Sequence, residues 1–391
     1  MSDAPQGPGL GFLMEQTLGH VTHYRNLRAG VDADRRVRAA WYPLGFPPRG
    51  SLETLPPLRA NWTVRGSLRA RRLLPPSLAA GHDALFFHTQ TITVLSRATI
   101  ARVPSVISLD ATPLNYDAVG VAYGHRAGSG PVEAAKRALY ARPLRAAAAI
   151  VVWCDWARRS LVSDYGVPDS RITVIAPGVD LSGWPLAPSR PDAEALPGTG
   201  YPGTRVPGTR VPGTRVRVLF VGADFARKGG PLLLEVAAAL GVDRCELHLV
   251  TRTPLQPRPG VHVYADLGPN SPMLRQLYAQ ADIFVLPTLA DCFPLVVQEA
   301  MAAGLPVVAS DLGAIGEAVA DRQTGLLVPP GDGRALRAAI EALAADQGMR
   351  RRLGARGRAV AEQRFDSARN ATRIVDLLLS VSRRPADGAR R

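Results

Sequence analysis

Short apolar runs rich in β-branched residues recur along the chain, and stretches with apolar residues three and four positions apart fill most of the gaps between them. In the first half GLGFLMEQ (9–16), VRAAWYPL (37–44), ALFFHTQ (84–90), SVISLD (105–110), AIVVWC (149–154) and ITVIAPG (172–178) read as strands. Pro131 to Ala148 reads as one of the intervening helices. In the second half, residues 215–240 read as a strand, a Gly-containing loop and an amphipathic helix opening at Gly229 or Gly230. IFVLPT (283–288) and PVVAS (306–310) flank a helix from Pro294 to Ala303, with Pro294 suited to the first helical turn and Gly304 to the stop. Residues 310–332 continue as a loop, a helix and a Gly-rich strand, in which Glu317 reads as a capping or orienting acid. Asp366 to Ser382 is helical, with Ile374, Leu377, Leu378 and Val381 on one stripe. Repeated βα units imply parallel sheets, so the class is α/β.

The two halves are separated by EALPGTGYPGTRVPGTRVPGTRVRVLF (194–220), in which PGTGY is followed by three copies of PGTRV. Such a Pro/Gly repeat buries nothing and marks a linker, and a period of five is too short for a solenoid unit. The expected organisation is a Rossmann-like domain over 1–185, a linker over 186–215 and a second Rossmann-like domain over 216–365. A helix over 366–383 and a basic, disordered tail over 384–391 follow.

Two carboxylates, Asp291 and Glu299, lie eight positions apart in this strand, loop, helix and strand. The pattern puts Asp291 at the carboxyl end of a strand, where open α/β sheets bind ligands, and Glu299 about a turn and a half into the helix on the same side. One acid can hold a sugar and the other a ribose. Phe293 and Leu295 are the expected backbone donors at that helix start; Pro294 has no N–H to give. The loop near 222–229 carries Arg227 and Lys228 beside a helix N-terminus, which makes an anion site. The chain has 47 basic residues, yet Lys136 and Lys228 are its two lysines, so a lysine in this loop stands out.

These segments resemble glycosyltransferase family 4, whose mark is a Glu, seven residues and a second Glu in this setting. Here the first Glu is Asp291. The resemblance covers nearly the whole chain, strongest from residue 150 onward, where WCDWARRSLVSDYGVPDSRITVIAPGVDL (153–181) matches the family's lead-in to its linker. It implies the GT-B fold, two Rossmann-like domains with parallel sheets facing a central cleft, the first on the acceptor side and the second binding a nucleotide sugar, with the last helix crossing back to the first. It assigns the donor-sugar hydroxyls to Asp291, the ribose to Glu299 and the donor diphosphate to Lys228. The loop's first glycine, Gly222, belongs to the same donor site. The Arg that the family usually places after that glycine is Ala223 here, which leaves Arg227 to supply the second charge.

In the first domain the resemblance draws attention to Gly19, at the entry of a helix after the first strand and near the donor diphosphate. His88 and Asp110 each end a strand on the side of the expected cleft. The family transfers a sugar with retention at the anomeric carbon. It is expected to need no metal and no cofactor, because Arg227, Lys228 and helix dipoles neutralise the leaving diphosphate. Asp32-Ala33-Asp34 has the D-x-D form of metal-dependent transferases, but it lies among arginines before a strand and is not expected to hold a metal. A hexose moving from a nucleotide-diphosphate sugar to a glycan, lipid-linked or small-molecule acceptor is the implied reaction, in cell-envelope polysaccharide or glycolipid synthesis.

At 391 residues and 46% hydrophobic, the chain is long enough for two ordinary cores. The formal charge of +14 raises nucleic acid as a partner, but there is no helix-turn-helix cue, zinc-finger spacing or aromatic-basic interleaving. An anionic membrane surface suits it better. RANWTVRGSLRARRLLPP (59–76) sets Arg59, Arg65, Arg69, Arg71 and Arg72 among Trp62, Leu68, Leu73 and Leu74, as an interfacial helix would. A plain solvated face is nevertheless the preferred reading of this stretch. Cys154, Cys245 and Cys292 are widely spaced and imply a reducing compartment rather than disulfides or a zinc site. No signal peptide or membrane span is read, so a cytoplasmic protein is expected, with a peripheral place at the inner membrane face as the alternative. The rival readings are a non-catalytic GT-B nucleotide-sugar-binding protein, an epimerase or phosphorylase of the same fold, and a basic nucleic-acid-binding protein.

Overall fold

The structure, a computed structural model, describes residues 7–17, 19–47, 53, 61–120, 128–184 and 215–383. The expected linker up to Thr214, Arg59 and the tail 384–391 lie outside the described residues. The described chain forms two compact units, one running up to Asp180 and resuming at Arg364, the other from Leu181 to Gln363.

The first unit is built on a six-stranded sheet of β1 (Gly9–Glu15), β2 (Arg38–Leu44), β3 (Ala84–His88), β4 (Ser105–Leu109), β5 (Ala149–Val152) and β6 (Ile172–Val174), in the order β2-β1-β3-β4-β5-β6. Every pairing is parallel. β3, β4 and β5 are buried at every residue, as their unbroken apolar runs require of strands covered on both faces, whereas the edge strand β2 is largely part-exposed. Its longer helices are α1 (His20–Asp32), α2 (Trp62–Leu73), α3 (Gly130–Ala146) and α4 (Asp155–Ser163). The second unit has β7 (Val216–Val221), β8 (Cys245–Val250), β9 (Val261–Tyr264), β10 (Ile283–Leu286), β11 (Val307–Ser310) and β12 (Gly325–Val328), again all parallel, in the order β12-β11-β10-β7-β8-β9. Its longer helices are α5 (Gly230–Leu240), α6 (Pro272–Gln280), α7 (Leu295–Ala302), α8 (Gly333–Ala345) and α9 (Gln347–Arg364).

Several strands end earlier than their apolar runs suggest. ALFFHTQ leaves the ladder after His88, where Gln90–Ile92 form a tight 3-10 turn, and ITVIAPG leaves it after Val174. IFVLPT stops at Leu286 because Pro287 cannot donate to a ladder. Helix α7 starts at Leu295, with Pro294 as its N-cap at φ −71°, ψ 121° rather than inside the first turn.

The last helix, α10 (Ser367–Val381), belongs to the first unit. Asp366 caps it through Arg369 N. Ile374, Val375 and Leu378 join the core of Leu10, Phe12, Met14, Phe86, Val106 and Val151, while Leu377 and Val381 pack at its margin. Full burial of each such side chain is worth about 1.5–3 kcal/mol. Asn26 Nδ2 donates to Gly178 O at 2.7 Å and Asn370 Nδ2 to Ala176 O at 3.0 Å, so α1 and α10 both grip the turn after β6.

Helix α2 turns two of the arginines expected on its surface inward. Arg65 and Arg69 are 6% and 8% exposed. Arg65 Nε donates to Phe46 O at 3.2 Å, and Arg69 donates to the carbonyls of Gly45 and Pro47 and pairs with Glu53. Turn carbonyls after β2 that would otherwise be buried unpaired draw these guanidinium groups inward. Arg71, Arg72, Trp62 and Leu73 remain outside. Among the described residues no helix is long and apolar enough to cross a membrane.

Helices α1 and α10 approach closely at Gly30, where an added Cβ would lie 2.5 Å from Ala371 Cβ. Gly30→Ala in an open helix would gain about 1 kcal/mol. Here the clash reverses the sign, and a loss of about 1–3 kcal/mol is expected in urea denaturation, partly recovered by Ala371→Gly in the same chain.

Candidate functional site

In the second sheet the chain winds outward from β7 through β8 to β9, then returns to lay β10 on the other side of β7. The loops leaving β7 and β10 therefore diverge at the sheet's carboxyl edge, which opens a crevice between them. The β7 loop runs through Gly222 to Lys228. Gly229 caps α5 at φ +78°, and a Cβ there would fall 1.8 Å from Pro287 O, so a glycine alone lets this backbone rest on the end of the β10 strand. Leu289 N donates to Arg227 O at 2.9 Å and fastens the two loops together.

The expected residues of this unit meet here. Asp291 Oδ2 lies 3.0 Å from Lys228 Nζ and 3.7 Å from Arg227 Nη1. The Lys228 contact is a charge contact off the hydrogen-bond direction, since Asp291 Oδ2 is buried without an aligned donor. The Lys228 stem passes over Gly222, where an added Cβ would come within 2.7 Å of Cδ. Arg227 differs from expectation. It is 7% exposed, with Nε donating to Asp224 Oδ2 at 3.1 Å and Nη1 to Ala290 O. Its guanidinium is spent on holding the two loops, which leaves Lys228 as the cation at the mouth. Phe293 and Leu295 bury their side chains beside the start of α7.

Glu299, on α7, is 4% exposed and accepts from Tyr278 Oη at 2.9 Å. Burial pushes its carboxyl up to about 7, against the opposing pull of Tyr278, Lys228 and Arg275. Tyr278 is itself held by the edge of Trp184 at 4.9 Å and by Phe284 at 5.7 Å. Arg275 lies over the Trp184 ring at 6.0 Å. Tyr278, Arg275 and Trp184 were not legible as site residues, because Tyr278 and Arg275 act on Glu299 from α6 and Trp184 packs on Tyr278 from the start of the unit.

The first sheet has its own reversal, between β1 and β3. Gly19 is the N-cap of α1 and has ordinary helical angles, so no backbone strain demands a glycine there. His88 and Asp110 do come together, through a residue the sequence reading passed over. His20 Nδ1 is 3.1 Å from His88 Nε2, and His20 Nε2 is 3.9 Å from Asp110 Oδ2. Glu15 Oε1 sits 3.7 Å from His20 Nδ1, and Glu15 Oε2 accepts from Thr89 Oγ1 at 2.6 Å. Burial holds His88 well below its ordinary pKa and His23 down to about 3, and raises Asp110 against the pull of His20. His88 stacks on Trp153 at 5.3 Å. The signal for His20 and Glu15 was their place at the two ends of the loop that carries Gly19.

Asp32 and Asp34 are engaged as ordinary surface acids, Asp32 with Arg28 and Trp41 Nε1 and Asp34 with Arg36. Cys154, Cys245 and Cys292 are buried free thiols.

A family model described as "Glycosyltransferase Family 4" matches residues 21–182, and one described as "Glycosyl transferases group 1" matches 215–346. The chain belongs to the family 4, group 1 glycosyltransferases. Among curated relatives of this family, a D-inositol 3-phosphate glycosyltransferase of Nocardia farcinica is 32% identical over 221 residues, which is 51% of this chain and 45% of that relative. A glycogen synthase of Mycobacterium tuberculosis is 26% identical over 331 residues, 82% of this chain and 74% of the relative. The chain thus spans about half the length of the inositol-phosphate relatives it matches. Sucrose-phosphate synthase from Thermosynechococcus elongatus superposes with a TM-score of 0.69 at 18% identity, covering 95% of this chain and 98% of that one. Anabaena Alr3699/HepE does so with 0.64 at 18%, covering 95% and 100%. These likenesses establish the family's GT-B fold.

The raised Glu299 carboxyl carries a stability cost. Its folded pKa of about 7 exceeds the ordinary glutamate value of 4.5, so the folded state loses stability as pH rises between those values and keeps the penalty above 7. The full shift corresponds to roughly 3 kcal/mol. Glu299→Gln is therefore expected to raise the denaturation midpoint at pH 8 and to leave it nearly unchanged at pH 4.5; an equal gain at both would refute the assignment.

Proposed function

We propose that this glycosyltransferase moves a hexose from a nucleotide-diphosphate sugar to a hydroxyl acceptor with retention at the anomeric carbon. The observation that carries this reading is the placement of Lys228, Asp291 and Glu299 at the switch point of the second sheet. On this reading Lys228 exchanges Asp291 for the donor diphosphate, and the released Asp291 carboxylate accepts hydroxyls of the sugar. Glu299, once ionised, accepts from the ribose hydroxyls, and Tyr278 fixes its orientation. Arg227 keeps the two loops in register rather than touching phosphate. The N–H groups around Phe293 and Leu295 add the partial positive charge of a helix start.

Transfer is proposed to occur on one face. The bond from the anomeric carbon to the diphosphate oxygen breaks, the acceptor oxygen bonds to that carbon from the same side, and the acceptor's proton passes to the departing diphosphate. A double displacement would need a carboxylate under the sugar, and the released Asp291 is committed to the sugar hydroxyls. Neither step assigned here calls for a metal ion.

Relatives' names support the substrate class. Alr3699/HepE has been captured with UDP-glucose, and relatives are named for inositol phosphate, phosphatidyl-myo-inositol and glycogen chemistry. We assign a polyol, glycan or lipid-linked acceptor to the side of Gly19, His20, His88 and Asp110, in cell-envelope synthesis at the cytoplasmic membrane face.

Thermal unfolding with a panel of UDP-, GDP- and ADP-sugars is the test. One donor class is expected to raise the midpoint, and Lys228→Ala to abolish the shift and cut turnover by roughly a hundredfold or more. A shift that survives Lys228→Ala would remove Lys228 from the donor site. A shift without turnover toward any acceptor would make the chain a nucleotide-sugar-binding protein.

A further inference from the structure

We propose that Glu246, His248 and His262 form a site for one zinc-type divalent cation on the outer strands of the second sheet, apart from the donor loops. Glu246 and His248 lie on β8 and share one face of the sheet. His262 is the direct cross-strand partner of His248 on β9, which pairs with β8 alone and forms the sheet edge. One ligand atom from each residue lies within 4.8 Å of the others. Glu246 Oε1 is 2.9 Å from His262 Nε2 and 3.7 Å from His248 Nε2. A four-coordinate zinc ion with bonds of about 2.0–2.1 Å needs ligand atoms about 3.3 Å apart, a value these two distances bracket.

His248 supplies the second, independent observation. It is 5% exposed, and its Nε2 is buried with no hydrogen-bond partner. Its other nitrogen, Nδ1, lies 3.0 Å from Tyr264 Oη. With Nδ1–H donating to that hydroxyl oxygen, Nε2 carries a lone pair aimed at Glu246 and His262, the arrangement that orients a metal-bound imidazole. Glu246 divides its oxygens: Oε1 faces the histidines, while Oε2 faces Arg215 at 3.8 Å and Arg217 at 3.7 Å. Those arginines compete with the ion for its charge. Two imidazoles and one carboxylate suit zinc better than magnesium or calcium, which prefer oxygen. A bound ion would clamp the edge strand to β8.

Zinc sulfate is titrated into the purified, tag-free full chain against a chromophoric chelator, alongside His262→Ala and, as a control in the other unit, His20→Ala. One equivalent per chain is expected, weakened more than about tenfold by His262→Ala and unchanged by His20→Ala. His262 is half exposed, so this variant should fold; equal thermal unfolding of both proteins in chelator checks it, and His262→Gln replaces it if it does not. Zinc should raise the unfolding midpoint of the parent chain more than that of the variant. No bound equivalent would show that the three residues are a charge-balanced hydrogen-bond cluster, and binding indifferent to His262 or lost with His20→Ala would equally overturn the site.

Discussion

A parallel sheet that reverses its winding direction must leave a gap between two diverging loops, and the chemistry of each unit is gathered at such a gap. In the second unit the reversal lies between β7 and β10. The crevice would be too loose to hold three charged side chains in register if the loops merely diverged. The Gly229 backbone resting on Pro287, the Arg227 carbonyl accepting from Leu289 N and the Arg227 guanidinium on Ala290 O tie them together. Lys228 and Asp291 face each other because of that bracing. Without it their attraction would be an exposed ion pair worth little.

Burial then sets the electrostatics. The first-unit cluster keeps His88 and His23 neutral, while the second unit keeps Glu299 near neutrality in the free protein. A carboxyl held this high is poorly satisfied by Tyr278 alone and gains from any ligand that brings hydroxyl donors. The unfavourable burial of Glu299 is thus a reason for affinity as well as a cost to stability, a trade common where binding groups are preorganised.

How much of this was legible in the chain follows from what one-dimensional pattern can encode. The strands were visible because central parallel strands are buried on both faces and read as unbroken apolar runs. Asp291, Glu299 and Lys228 were visible because each lies in a strand-loop-helix frame that fixes its direction. The inward turn of Arg227 onto Asp224 and Ala290 was not visible, since neighbours in sequence do not reveal which of two adjacent cations turns inward. The burial of Arg65 and Arg69 was hidden for the same reason: it is dictated by carbonyls of a turn some twenty residues away. His20, Glu15, Arg275 and Trp184 act through contacts between distant elements, which no local periodicity records.

The substitution of Asp for the expected Glu at 291 gains a physical meaning from this geometry. The shorter side chain reaches one methylene less into the crevice, and its carboxylate rests against Lys228 at 3.0 Å. Each charge is thereby neutralised before any ligand arrives, so a buried cation is not left uncompensated. On the proposed reading, the donor diphosphate carries more negative charge than the carboxylate it displaces and would draw Lys228 away. Asp291 is then left desolvated, with hydroxyl donors of the sugar as its available replacement. Diphosphate and sugar would then be coupled through one ion pair: a nucleotide without its sugar would break the pair and offer Asp291 nothing in return. On the proposed donor assignment the shortened acid would favour the intact donor over the spent nucleotide, a bias that would assist product release after transfer.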